Sequence, residues 1–195
     1  MTLPASEFSL IDRYFADHAP NRPDVALGIG DDCALLIPPA GEQLVVTLDT
    51  LVADVHFFAA ADPEGVGHKV LAVSLSDLAA MGATPAWAML ALTLPKADGA
   101  WLTGFCRGLF ALADRYRMQL VGGDTTHGPT TVITLQAHGF VPPGLALCRH
   151  GAQPGDGVYV TGALGDAGLA LAAALGKATI AAEHRSYLQA RLERP

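Results

Sequence analysis

The run KVLAVSLSDLAAMGATPAWAMLALTLP, residues 69–95, holds a helix and a strand in direct succession. Leu71, Leu75 and Leu78 recur at helical spacing and predict one apolar stripe, with Ser74, Asp77 and Met81 on another. The helical reading starts at His68 and stops at Gly82. AWAMLALTLP, residues 86–95, then reads as a buried strand closed by Pro95. A helix followed at once by a buried strand predicts a layered α/β or α+β domain. Asp77 stands out, because an aspartate in mid-helix among leucines is disfavoured by propensity.

Working outward, Phe8, Ile11 and Phe15 have helical spacing and predict an opening amphipathic helix over residues 6–18. QLVVTLDTL reads as a strand from Leu44, with Asp49 near its end. Residues 100–117 predict a second helix, and MQLVGGD a short strand that runs into a Gly-Gly-Asp turn. In TTVITLQAHGFV, Ile133, Leu135 and Ala137 alternate with Thr134, Gln136 and His138, the pattern of a half-exposed strand. A boundary is expected in CRHGAQPGD, residues 148–156. Beyond it GVYVTG predicts a strand, followed by a glycine turn and a helix.

The aspartates carry the chemical signal. Asp31 and Asp32 sit in LGIGDDCALL, residues 27–36, an apolar run loosened by glycine. Buried or half-buried carboxylates there would need a hydrogen bond, an ion pair or a metal. Asp49 ends a strand, Asp77 interrupts a helix and Asp124 follows Gly122 and Gly123. Any one of these is most simply a turn former or helix cap. Together they form a set of hard oxygen ligands suited to Mg2+ beside phosphate, with glycines that let backbone N–H groups approach closely. His56, just after the Asp49 segment, and Arg149, beside a turn, are solvated residues by default and phosphate or substrate contacts by option.

Composition narrows the classes. The formal net charge is −7 and the lysines are only Lys69, Lys96 and Lys177, so no basic stripe for nucleic acid exists. No apolar run approaches the roughly 20 residues of a membrane span, and no secretory signal is read at the start. Cys33, Cys106 and Cys148 have no metal spacing and read as reduced, buried thiols of a cytoplasmic protein. Neither a GxxxxGK[ST] loop, nor GxGxxG after a strand, nor GxSxG is present. With so few lysines, a polyphosphate would have to be neutralised mainly by metal ions held on aspartates.

EFSLIDRYF, LGIGDDCALL, TLDTLVADVHF, the 69–95 run, MQLVGGDTTHGP and GFVPPGLALCRHGAQPGDGVYVTG closely resemble the thiamine-monophosphate kinases, almost continuously from Glu7 to about Gly168. That family lies in the superfamily of aminoimidazole ribonucleotide synthetase-like, ATP-dependent enzymes. The resemblance implies an N-terminal α/β domain over residues 1–150, with a mixed sheet and flanking helices, that binds ATP and Mg2+ and forms a homodimer. It implies the start of a second, incomplete α/β domain over residues 151–195.

The implied reaction carries the γ-phosphoryl group of ATP directly onto thiamine monophosphate, with several Mg2+ ions. By position, Asp32, Thr47, Leu48, Asp49, Asp77 and Asp124 would serve metals, Asp77 and Asp124 as the catalytic pair. Gly123, Asp124 and Arg149 would meet the nucleotide, and His56 the thiamine substrate. Leu48 departs from the family's common Thr, which leaves its backbone carbonyl as ligand. The family's later SDG segment, a substrate-facing acid and an aromatic residue are absent from this sequence. The alternatives are another synthetase of the superfamily, of purine-pathway or selenophosphate type, and a non-catalytic Mg-nucleotide-binding or dimerisation module.

Overall fold

The computed structural model describes residues 7–18 and 22–195, which divide into two compact units at Leu147/Cys148. The first contains α1 (Glu7–Tyr14), β1 (Val25–Leu27), β2 (Leu35–Leu36), β3 (Gln43–Val52), α2 (Pro63–Ala80), β4 (Thr84–Leu94), α3 (Gly99–Arg115), β5 (Gln119–His127) and β6 (Val132–Val141). The opening helix is shorter than residues 6–18: after Tyr14 the chain tightens into a 3-10 turn at Ala16–His18, and Ser6 lies outside the described residues.

The main sheet has the order β3-β6-β4-β5, antiparallel except for the parallel β4/β5 pair. It is the mixed sheet with flanking helices that the sequence implied. β1 and β2 form a separate antiparallel ribbon.

Local chemistry sets the helix ends. Asp62 caps α2 by accepting from the N–H groups of Glu64 and Gly65, and Pro63 takes the first turn, where its missing N–H costs nothing. The helix therefore starts before His68, where the apolar stripe begins. Asp98 caps α3 in the same way through Ala100 and Trp101. The two helices touch at backbone distance. A Cβ on Gly67 would overlap the carbonyl oxygen of Phe105, and one on Gly108 that of Glu64.

α2 and α3 cover one face of the sheet. Val70, Leu71, Leu78, Leu102 and Phe105 meet Leu92, Ile133 and Leu135 in the core, where each buried side chain contributes about 1.5–3 kcal/mol. The other face is divided. At one end Ala86, Trp87, Val121 and Phe140 pack under Val25, Ala34 and Leu36 of the ribbon. Here His138 is buried rather than half-exposed, with its ring 6.2 Å from Trp87. Across β3 the same face is open, with Leu44, Val46 and Leu48 exposed.

Two further expected features differ. Gly122–Asp124 is not a turn: β5 runs through it, and Gly123 pairs with Leu90 of the parallel β4. A Cβ at Gly123 would strike the Leu90 carbonyl, so the glycines allow a close pairing rather than a reversal. In the second unit, α4 (Asp166–Ala174) and α5 (Arg185–Glu193) form, but GVYVTG makes no strand. Val158 and Tyr159 are 95% and 92% exposed. The described residues of this unit contain no strand for it to pair with, and an unpaired strand leaves its backbone groups unsatisfied by any ladder.

Candidate functional site

Strand order decides which of the candidate residues meet. At the β5 edge, the loop between β1 and β2 turns at Gly30 (φ 126°). There the Asp32 N–H donates to Asp31 Oδ1 at 2.8 Å. Both aspartates are exposed, contrary to the buried or half-buried setting considered for them, while Ala34 and Leu36 after them pack against the sheet. The loop forms one wall of a cavity of about 400 Å3, also lined by Gly122, Gly123, Asp124 and Thr125 of β5. That volume suits a small-molecule site. β5 is an edge strand, so sheet pairing leaves its outer row of backbone N–H and C=O groups for other partners. Cys33 is exposed on the same wall.

A second group lies at the β3 edge, on the face that meets α2. Thr47 Oγ1 donates to Asp77 Oδ2 at 2.7 Å, and Ser74 Oγ donates to Asp49 Oδ2 at 3.2 Å. These two bonds stitch strand to helix and hold both carboxylates. Asp77 is exposed at the helix surface, which removes the desolvation cost of a charge among leucines. Leu48 alternates to the opposite face and is 61% exposed, so it shares with Thr47 and Asp49 only a backbone position.

His56 follows β3 in a tight turn in which Asp54 takes φ 60° and accepts from the Ala59 N–H. His56 Nδ1 accepts from the Val52 N–H at 3.1 Å, leaving Nε2 to carry the proton of the neutral ring. Arg149 belongs to the second unit, where it opens the exposed 3-10 turn Arg149–Gly151.

Asp49, Leu135, Leu90 and Gly123 form one row across the four strands. Three strand spacings separate its ends by about 14 Å. Thus Asp32, Gly123 and Asp124 meet at one edge, Thr47, Asp49 and Asp77 at the other. Among the described residues no three His, Cys, Asp or Glu side chains gather to hold a metal ion. The oxygen donors suit Mg2+ chemically, but among the described residues they lie in two separate groups. Cys106 is the one buried thiol among the described cysteines; burial pushes it up to about 12. Cys33 and Cys148 are exposed, against expectation.

Part of the cavity wall has no site role in the sequence reading: Ile11 and Asp12 of α1, Phe15 just after it, and Ile29 and Thr125. The stripe of Ile11 and Phe15 was legible, and Asp12 beside it places a carboxylate next to an apolar wall.

Residues 30–141 match the family described as AIR synthase related protein, N-terminal domain. The chain belongs to this AIR synthase-related family. Within the family it is 54% identical over 194 residues to the thiamine-monophosphate kinase of Escherichia coli (strain K12), covering 99% of this chain and 59% of that relative. The crystal structure of thiamine-monophosphate kinase from Stenotrophomonas maltophilia K279a is 49% identical, with a TM-score of 0.85. It covers 97% of this chain and 61% of its own. A solved structure of AaThiL complexed with AMPPCP and TMP matches at 28% identity and a TM-score of 0.74, over 97% of this chain and 59% of its own. This family member thus spans about half to three-fifths of the length of the curated relatives it matches.

Proposed function

We propose that the chain serves the ATP- and Mg2+-dependent phosphorylation of thiamine monophosphate to thiamine diphosphate, with ATP bound at the β5 edge. One observation carries this reading: the cavity joins Asp31 and Asp32 to Gly123 and Asp124 in a chain 54% identical to a thiamine-monophosphate kinase. Support for the ligands comes from AaThiL, complexed with AMPPCP, an ATP analogue, and with TMP, read as thiamine monophosphate.

The acceptor phosphate has a second pKa near 6, so it is already an anionic nucleophile at neutral pH and needs no general base. A bond forms between its oxygen and the γ-phosphorus of ATP in line with the breaking bond to the bridging oxygen, and ADP leaves with that electron pair. Gly123 and Asp124 meet the phosphates and His56 faces the thiamine monophosphate; the family resemblance assigns Arg149 to the nucleotide. Asp32, Asp49, Asp77 and Asp124, with Thr47 and the Leu48 carbonyl, hold Mg2+ ions, which supply charge neutralisation.

The 14 Å separation leads to a homodimer in this reading. Two copies meet through the open sheet face of Leu44, Val46 and Leu48, and the Asp77 group of one copy lies beside the Asp32–Asp124 group of the other. The protein works in the cytoplasm. A second reading, a Mg-nucleotide-binding and dimerising module without turnover of its own, is favoured by one observation: the exposed, unpaired run at Val158 and Tyr159.

Incubating the chain with ATP, Mg2+ and thiamine monophosphate tests both. Equal amounts of thiamine diphosphate and ADP, lost in Asp77→Ala, are expected. No product, with Mg2+-dependent AMPPCP binding retained, would replace the kinase with the module.

A further inference from the structure

The ribbon that carries Asp31 and Asp32 is fastened to the sheet where it begins. Arg22 and Asp24 face each other as a fork, with Nε donating to Oδ1 at 2.8 Å and Nη2 to Oδ2 at 2.6 Å. Their side chains are only 21% and 15% exposed. Such a two-point pair fixes orientation as well as distance. Asp24 Oδ1 also accepts from the indole Nε1 of Trp87 at 3.2 Å, so the pair is tied to a side chain buried beneath the ribbon. The Arg22 hydrogen bond holds the Asp24 carboxyl below its ordinary range despite the opposing effect of burial.

The same arginine reaches the start of β5. Its Nη1 donates to the Arg117 carbonyl at 2.7 Å, and its backbone N–H donates to Gln119 Oε1 at 3.0 Å. Arg117 holds φ 53°, a left-handed conformation unusual for a non-glycine residue, at the turn that presents this carbonyl. Gln119 in turn lies against Gly28, where a Cβ would sit 3.5 Å from its Nε2. Beside the pair, where the ribbon's second strand returns, the Ile37 N–H donates to the Asp24 carbonyl at 2.9 Å. The strands that lead into and out of the Gly28–Ala34 loop are thus tied to one small group of residues.

We propose that Arg22 and Asp24 are positioning residues that, through Trp87 and Gln119, fix the Asp31–Asp32 loop on the wall of the cavity shared with Gly123 and Asp124. The consequence for ligand binding rests on the reading of this cavity as the nucleotide site. A loop held only by its own turn would sample many geometries, and each carboxylate would reach a bound cation or phosphate for a fraction of the time.

Hydrogen–deuterium exchange on the 195-residue chain tests this, with Asp24→Asn and Trp87→Phe compared to the unmodified protein. Asp24→Asn keeps a hydrogen-bond acceptor but loses the charge, and Trp87→Phe keeps an aromatic ring but loses the N–H. Each variant is expected to exchange about tenfold faster over residues 28–34, the loss of one charge-assisted or buried hydrogen bond, with no change over 132–141. Affinity for AMPPCP in the presence of Mg2+ should fall several-fold in both. Unchanged exchange over 28–34 in both variants would overturn the proposal. Equal acceleration throughout β4 and β6 would also overturn it, since the pair would then support the fold at large. The exchange readout needs no nucleotide, so it decides the positioning role separately from the nucleotide reading.

Discussion

Two regions rich in β-branched and aromatic residues behave differently in this molecule. Val132–Val141 forms the central strand β6, with β3 on one side and β4 on the other, and Ile133, Leu135 and Ala137 are fully buried under the helices. Gly157–Val160 has no strand beside it within its own unit, and Val158 and Tyr159 stand in solvent. Composition gives both stretches the capacity for strand, but only ladder pairing and a covered face turn that capacity into stability. The first unit therefore has a core that can hold side chains at fixed positions, and the candidate carboxylates and the cavity lie there.

Substitution at matched positions sharpens the contrast. Leu135→Ala should cost about 2–5 kcal/mol in denaturant unfolding, since it opens a cavity in the core. Val158→Ala should change stability by less than about 0.5 kcal/mol. Equal effects at the two positions would break the distinction.

A smaller effect is expected from pH at the ribbon-covered end. Burial lowers the pKa of His138, and its Nδ1 has no hydrogen-bond partner. The unfolded chain takes up a proton at this side chain from about pH 6.5 downward, whereas the fold resists it. The stability contribution is therefore complete above that pH and is lost as pH falls toward the lower, folded value. His138→Gln should flatten this part of a plot of Tm against pH; an unchanged slope would remove His138 as its source. At the β3 edge, Thr47→Val breaks the exposed hydrogen bond to Asp77 and should cost only about 0.5–1 kcal/mol in thermal unfolding. Its larger consequence should be for Mg2+-dependent nucleotide binding.

Much of the first unit was legible because its periodicities are strong. The stripe of Leu71, Leu75 and Leu78 located α2, and alternation around Leu135 located β6. The start of α2 was missed although Asp62-Pro63 is a cap followed by a first-turn proline, because the apolar stripe begins only later. Gly122-Gly123-Asp124 read as a turn because glycine's local preference carries no knowledge of the parallel neighbour that needs its lack of a side chain. GVYV read as a strand for the converse reason, since propensity is silent on whether a partner exists. In the site, the aspartates were visible as a set, but not their division between two sheet edges. That division depends on strand order, which places β3 and β5 at opposite ends although both follow helical or turn segments of similar appearance.

In the proposed function these two groups form one Mg-nucleotide site only when two copies meet. Mixing Asp77→Ala chains with Asp124→Ala chains and measuring AMPPCP binding with Mg2+ tests it most directly. Each variant alone should lose binding. After random exchange of subunits, about a quarter of the sites should return, because half the dimers are mixed and each mixed dimer carries one intact site. Binding by either variant alone at the level of the unmodified chain, or no recovery in the mixture, would contradict a site divided between copies.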